Sequence, residues 1–398
     1  MELRLDADKW RARKGMGRLL KALGAEDGLS RYVGGAVRDE LLDHPVSDID
    51  IATRLRPEEV VRRLEAAGIR AIPTGIEHGT ITAISSGQHV EITSLRRDVS
   101  TDGRRATVAF TDDWKEDAAR RDFTINALLA DPITGEIFDY FGGIDDLHDR
   151  RVRFIGDPLQ RIAEDHLRIL RFFRFHARFG EGEPDAAALE ACTQRANDLM
   201  ALSRERIADE LLKMISVEDP CPTVALMVER GILKPVVPEI DGSSVERLEQ
   251  LIEAEREANI APDPLRRLAA LLPRNREVAE SVAQRLRLSN KAKKRLGCTA
   301  EQDLGSSPEA LAYYVGHDCA TDRLLLAGKP TDAASLSDWT IPRLPIGGGA
   351  LIERGMTPGP NVAKALKALE TRWVESGFPK GDAFERLVTE ALETSNQS

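Results

Sequence analysis

The chain has 398 residues, 42% of them apolar and 31% charged, with a formal net charge of −10. This length exceeds one comfortable hydrophobic core, so two or more domains are expected. No apolar run is long enough to cross a bilayer and none follows the acidic start Met1-Glu2-Leu3, so a cytoplasmic protein without a membrane partner is expected. Cys192, Cys221, Cys298 and Cys319 are scattered, without the close pairs of a zinc site or the density of a secreted framework; they read as buried thiols.

In chain order, the spacing predicts a short amphipathic helix from Arg11 to Leu23. To about residue 140, apolar strands (Tyr32-Val33, Ile49 to Ile51, Ile81 to Ile84, Val90 to Leu95) alternate with helices such as Ala36 to Leu42 and Pro57 to Ala67. The Pro57-Glu58-Glu59 start is a good first helical turn. Asp98 to Lys115 is polar and poorly periodic, and reads as a loop. After Arg161 helical periodicity dominates: Ile162 to Phe179, Ala186 to Leu202, Arg206 to Ile215, Val245 to Ala258, Asp263 to Leu272, Val278 to Leu288 and Val362 to Gly377. The fold class is therefore α+β, an α/β head followed by an all-helical remainder. His317-Asp318 lacks the further histidines a metal phosphohydrolase would need.

Chemistry concentrates early. Gly34-Gly35, where a strand turns into a helix, would let backbone amides approach an anion, and Arg38 would add a full positive charge. In an extended Ser47-Asp48-Ile49-Asp50-Ile51 the two carboxylates share one face while the isoleucines point to a core. Hard oxygen donors in that number suit Mg2+, which needs only one or two protein carboxylates beside phosphate oxygens and water. A calcium loop is a poor match, because position 52 is Ala and no glycine follows where its sharp turn would fall. Glu91, alternating with apolar neighbours in His89-Val90-Glu91-Ile92-Thr93, is a third carboxylate on a strand.

Arg31 to Leu42 followed by Ser47 to Thr53 resembles the first motif of the class II tRNA nucleotidyltransferases, the CCA-adding enzymes and their poly(A) polymerase relatives. Later segments resemble that family's motifs in order: Glu77-His78-Gly79-Thr80, Val90 to Arg96, Arg120 to Ala127, Asp139 to Leu147, Glu164 to Arg171 and Ser203 to Leu211. The resemblance covers roughly residues 30 to 215. It implies a polymerase-beta-like nucleotidyltransferase head at 1–150, a helical neck selecting the nucleobase at 151–220, and a helical body and tail binding tRNA at 221–398. It also places a mobile loop within Asp98 to Lys115. Asp48, Asp50 and Glu91 are the expected catalytic residues, with Asp48 and Asp50 the metal ligands. Gly34, Gly35, Arg38, Arg121, Asp122, Asn126, Asp165, Arg168 and Arg171 are the expected nucleotide contacts. The implied reaction adds C, C and A to tRNA 3′ ends from CTP and ATP; no protein partner is indicated.

Asp165 and Arg168 lie three apart and would share a helix face. A carboxylate only accepts hydrogen bonds and a guanidinium only donates. Cytosine and adenine each offer an amino donor beside a ring-nitrogen acceptor, whereas uracil and guanine present the reverse, so such a pair could accept C and A and reject the others. The competing reading is a helix ion pair, Asp165 with Arg168 or Glu164 with Arg168. His166 stands where proline or alanine is common in the family.

From Arg150 to Gly180, eight arginines stand against Asp157, Glu164 and Asp165, a surplus that reads as an RNA-facing surface. Lys291-Ala292-Lys293-Lys294-Arg295 is a second basic cluster. Three alternatives stay open. A poly(A) polymerase would usually carry a basic Gly-Arg-Arg-Phe-like segment where this chain reads Pro73 to Thr80. A CC-only or A-only enzyme would keep the same motifs. A non-catalytic RNA-binding protein would have no need of Asp48, Asp50 and Glu91.

Overall fold

The structure is a computed structural model that describes residues 4–46, 48–102 and 105–396. Ser47 and the expected loop's Gly103-Arg104 lie outside the described residues. The chain divides into two compact units, one holding residues through Ser203 together with Arg230–Val236, the other holding Arg204–Glu229 and Val237 onward.

The first unit opens with α1 (Ala7–Arg11) and α2 (Met16–Ala22). Gly15, at φ 85°, breaks what the spacing predicted as one helix. The sheet contains β1 (Ser30–Val33), β2 (Asp50–Thr53), β3 (Arg70–Gly75), β4 (Thr80–Ser85), β5 (Gln88–Ser94) and two short strands, Leu129–Ala130 and Ile137–Phe138. Its order is β3-β4-β5-β2-β1, then the two short strands. β2 and β5 run parallel, while the other pairs are antiparallel. α3 (Gly35–Leu41) leaves β1 directly, and α4 (Pro57–Ala66) follows β2.

Part of the segment expected as a loop instead forms an antiparallel pair, Arg96–Asp102 with Arg105–Phe110. Its Asp102-Gly103 dipeptide is a hairpin signal that the surrounding polarity obscured. α5 (Trp114–Ala119), α6 (Gly143–His148), α7 (Pro158–Glu164), α8 (Arg168–Phe179) and α9 (Ala186–Gln194) follow. Among the described residues no strand follows Phe138, as the loss of strand signal predicts.

α8 is seated by its apolar stripe. Ile169, Phe172, Phe173 and Phe175 are buried, and Phe123 meets Phe154 at 4.9 Å and Phe175 at 5.2 Å between ring centroids. Each such side chain contributes roughly 1.5–3 kcal/mol by leaving water, so this cluster fixes α8 beneath the segment that carries Asp122 and Asn126.

The second unit is helical: α10 (Arg204–Ile215), α11 (Cys221–Glu229), α12 (Gly242–Glu257), α13 (Pro264–Leu271), α14 (Arg276–Arg285), α15 (Asn290–Thr299), α16 (Pro308–Val315) and α17 (His317–Leu326), with further helices to Asn396. Guanidinium groups, buried at Arg266 and Arg267 and half-buried at Arg295, knit it together. Glu255 accepts from Arg266 and Arg267, each at 3.0 Å, and Asp322 receives two bonds from Arg295 at 2.7 and 2.9 Å. A separate apolar cluster of Leu351, Leu369, Trp373, Phe384 and Val388 packs the C-terminal helices. His317 is a structural residue here, with Nε2 2.7 Å from the Leu336 carbonyl.

One cysteine expectation is overturned. Cys192 and Cys221 are buried thiols, but Cys298 and Cys319 form a disulfide across a sequence separation of 21. α15 and α17 pack side by side, an adjacency that spacing along the chain cannot reveal.

Candidate active site

The carboxylates come together through sheet register. β2 pairs parallel with β5 so that Asp50 stands opposite Glu91. Ile49 and Ile51 are buried while Asp48, Asp50 and Glu91 are exposed, the alternation expected of extended chain. Surrounding protein pushes the Asp50 carboxyl up to about 6; Glu91 and Asp48 push the same way, and Arg121 opposes them. Negative charge is thus gathered without full compensation. Among the described residues no three His, Cys, Asp or Glu side chains are arranged to hold an ion by themselves. Asp48 and Asp50 nonetheless fit Mg2+, which takes few protein carboxylates when a triphosphate supplies further oxygens.

Gly34 caps α3 at φ 73° and ψ −131°, a backbone region essentially restricted to glycine. A Cβ there would lie 3.2 Å from Arg121 Nη1 and 3.6 Å from the Asn126 carbonyl. The Gly34 amide donates to Leu128 O at 3.0 Å, so it serves the sheet. Arg38 departs from its expected place as an open positive charge. It is buried, with Nε and Nη2 donating to Asp39 Oδ1 at 2.8 and 2.7 Å and Nη1 donating to Asn126 Oδ1. Desolvation lowers its pKa. Gly35 lies over it, a Cβ there being 3.4 Å from Arg38 Nη2.

Asn126 passes the connection on, with Nδ2 donating to Asp122 Oδ1 at 3.0 Å. Asp122 Oδ2 accepts from Arg171 Nε at 2.7 Å and from Nη2. Arg38, Asn126, Asp122 and Arg171 therefore form one continuous network from α3 to α8. Burial works most strongly against the Asp122 charge, but Arg171, Asn126 and the Phe123 amide together outweigh it and hold the carboxyl below its ordinary range. Arg121 pairs loosely with Asp117, at 3.4 Å. Its Nε, buried, has no hydrogen-bond partner.

The expected base-reading helix is broken. α7 ends at Glu164, Asp165 is extended at φ −151° and ψ 106°, and α8 begins at Arg168. The Asp165 carboxylate accepts the Leu167 amide at 3.1 Å, and its carbonyl accepts the Arg168 amide at 3.0 Å. An aspartate that bonds the backbone two residues ahead competes with helix continuation, so Asp165 and Arg168 do not share one helix face. Arg168 Nη1 instead donates to Glu164 Oε2 and, at 2.7 Å, to the Arg161 carbonyl.

Most of the eight arginines between Arg150 and Gly180 are matched by carboxylates. Six pair with carboxylates: Arg151 and Arg153 with Asp146, Arg161 and Arg168 with Glu164, Arg171 with Asp122, and Arg178 with Asp39. Four of those ion pairs use acids outside the window, so counting charge within it overstated the surplus. Two residues here went unread. Asp117 was legible, since its spacing to Arg120 and Arg121 is that of neighbours on a helix. Arg161 was not, because beyond its i,i+3 pairing with Glu164 the carbonyls it binds lie forty residues back along the chain.

Sheet register, crowded carboxylates and the adjoining guanidinium define a nucleotidyltransferase head, and comparison with known proteins agrees. The family described as Poly A polymerase head domain matches residues 30–153, and that described as probable RNA and SrmB-binding site of polymerase A matches 183–243. CCA tRNA nucleotidyltransferase 1, mitochondrial, of Danio rerio is 36% identical over 368 residues, 87% of this chain and 84% of that protein. The CCA-adding enzyme of Streptococcus gordonii is 33% identical over 378 residues, 90% and 92% of the two chains. The crystal structure of the Bacillus stearothermophilus CCA-adding enzyme in complex with CTP superposes with a TM-score of 0.73 at 25% identity, covering 96% of this chain and 99% of that one. This chain belongs to the CCA-adding tRNA nucleotidyltransferase family.

Proposed function

We propose that the chain adds C, C and A to the 3′ ends of tRNA without a nucleic-acid template, using CTP and ATP and releasing pyrophosphate. The observation that carries this reading is the placement of Asp50 opposite Glu91, with Asp48 two residues ahead and Arg121 beside the Gly34 turn. A site that only bound RNA would have no use for three carboxylates gathered on neighbouring strands beside a guanidinium.

Asp48 and Asp50 are the residues that would hold Mg2+, with Glu91 next to them. When bound, that ion supplies orientation of the triphosphate and a lowered pKa for the RNA 3′-hydroxyl. Gly34 keeps the approach free of a side chain, and Arg121 puts positive charge where phosphate oxygens arrive. The Asp122–Asn126–Arg38 network fixes the segment bearing Arg121. Asp165 and Arg168 select the base in this reading, with Arg168 turning from Glu164 as nucleotide enters. The tRNA 3′-hydroxyl oxygen attacks the α-phosphorus of the bound nucleotide and gives up its proton to solvent, the bond from the α-phosphorus to the α–β bridging oxygen breaks, and pyrophosphate leaves.

Residues 151–220 then serve as the selecting neck and 221–398 as the tRNA-holding body and tail. Residence in the cytoplasm belongs to the same proposal, supported by composition and by the absence, among the described residues, of a helix able to cross a membrane. The test uses tRNAs ending before the first C, after C and after CC, each with single nucleotides and Mg2+, followed by product sequencing. Stepwise C, C, A incorporation is expected; extension beyond A as an adenosine tract, or arrest after CC, would replace the reading.

A further inference from the structure

We infer that Arg161 is a positioning residue that ties the Arg120–Arg121 backbone to the segment carrying Asp165 and Arg168, so that the phosphate-facing and base-facing parts of the site hold a fixed spacing. The inference rests on the reading of the site given above.

Arg161 lies in α7 and is 8% exposed. Its Nη2 donates to the Arg120 carbonyl at 2.6 Å and also to the Arg121 carbonyl, while Nη1 donates to Glu164 Oε2 at 2.5 Å. Its own carbonyl accepts Arg168 Nη1 at 2.7 Å. Arg168 Nη2 in turn reaches the Arg120 carbonyl at 3.4 Å. The Arg120 carbonyl is thus shared by both guanidinium groups.

Two physical points separate this from an ordinary ion pair. Arg120 is the C-cap of α5, where carbonyls lack helical partners and carry partial negative charge, so a planar, permanently charged donor suits them. Charge also does not require Arg161, because Glu164 is already matched by Arg168. Arg161 therefore acts through where its donors point. What those donors fix is Arg121, whose Nη1 stands beside Gly34 and whose charge acts on Asp50. A shift of the Arg120–Arg121 carbonyls would move that charge relative to both the carboxylates and the base-facing segment.

The test is R161K, which keeps the charge but replaces a planar fork spanning two carbonyls and a carboxylate with a single ammonium. Steady-state kinetics with CTP, ATP and UTP are measured on tRNA ending before and after CC, beside the wild type, with thermal melting and tRNA affinity in parallel. The expected result is a KM for CTP and ATP raised about tenfold and C-over-U preference reduced about tenfold. The change in kcat is smaller, tRNA affinity is unchanged, and melting stays within a few degrees. Wild-type kinetics and selectivity in the Lys variant would overturn the inference. So would a melting loss large enough to account for the lost activity with selectivity intact, since that marks a purely structural arginine. Because the wild type is assayed on the same tRNAs, its failure to add C and A would count against the proposed function alone. R161Q, neutral and still a donor, should reproduce the selectivity loss.

Discussion

At the scale of single residues, the proposed mechanism leans hardest on Asp48 and Asp50. In the proposed mechanism, replacing either with Ala would remove a ligand for the ion that organises attack and departure, an effect worth several kcal/mol. Nucleotide addition should fall by more than about a hundredfold, while tRNA affinity, measured by filter binding, stays near wild type. Residual turnover above about a tenth in both variants would remove these carboxylates from the catalytic role. Gly34→Ala makes a different demand. At φ 73° a Cβ is strained by roughly 1–3 kcal/mol, and it would press on Arg121 Nη1. The melting temperature should drop by several degrees and KM for CTP should rise; a variant with unchanged KM would show that Arg121 has room to move.

At the scale of elements, the network from Arg38 through Asn126 and Asp122 to Arg171 joins α3 to α8. The Asp122 pKa is lowered in the folded protein, so the unfolded chain binds more protons just below the ordinary carboxylate value of about 3.9. The stability Asp122 contributes is complete above that value and is lost as pH falls through the lower native pKa. Asp122→Asn should therefore cost roughly 1–3 kcal/mol at pH 7 and flatten the decline of melting temperature in acid. A variant whose acid decline parallels the wild type would place the linkage elsewhere. Elements also show what the sequence could disclose. The alternation around Asp48 and Asp50 and the glycine turn into α3 are local, and both were readable from side-chain period and backbone permissiveness. The break at Asp165 is made by an equally local bond, from the Leu167 amide to the Asp165 carboxylate, but the helical periodicity on both sides masks it. Arg171 reads as an open charge since its partner Asp122 lies 49 positions away in the chain, and the link from Arg38 to Asn126 spans 88, although the Arg38 ion pair with the adjacent Asp39 is local.

At the scale of the whole molecule, the Cys298–Cys319 bond closes a loop with a sequence separation of 21 in the second unit, which should stabilise it by about 3 kcal/mol through the entropy of the unfolded chain. Thiol titration of denatured, unreduced protein should count two free groups, and reduction should raise the count to four and lower the melting temperature of that unit. Four thiols without reductant would mean the pair is open in solution. The first unit depends on Arg230–Val236, whose Ile232, Leu233 and Val236 are buried and contribute roughly 1.5–3 kcal/mol each. That sum rivals the 5–15 kcal/mol stability of a typical domain. A protein ending at Ser203 should melt well below one ending at Val236; equal melting would make the returning segment dispensable.

That returning segment has a consequence for biosynthesis. The chain leaves the first unit at Ser203, lays down α10 and α11, and only then supplies residues 230–236 to it. A ribosome working at roughly 5–20 residues per second needs about 2 to 7 seconds to cover that excursion. Throughout the interval the nascent head carries its sheet, its glycine turn and its carboxylates, yet lacks Ile232, Leu233 and Val236, which are buried in the complete chain. During translation the catalytic end of this polypeptide is therefore exposed to chaperones and proteases until a stretch with no catalytic residue of its own emerges to close it.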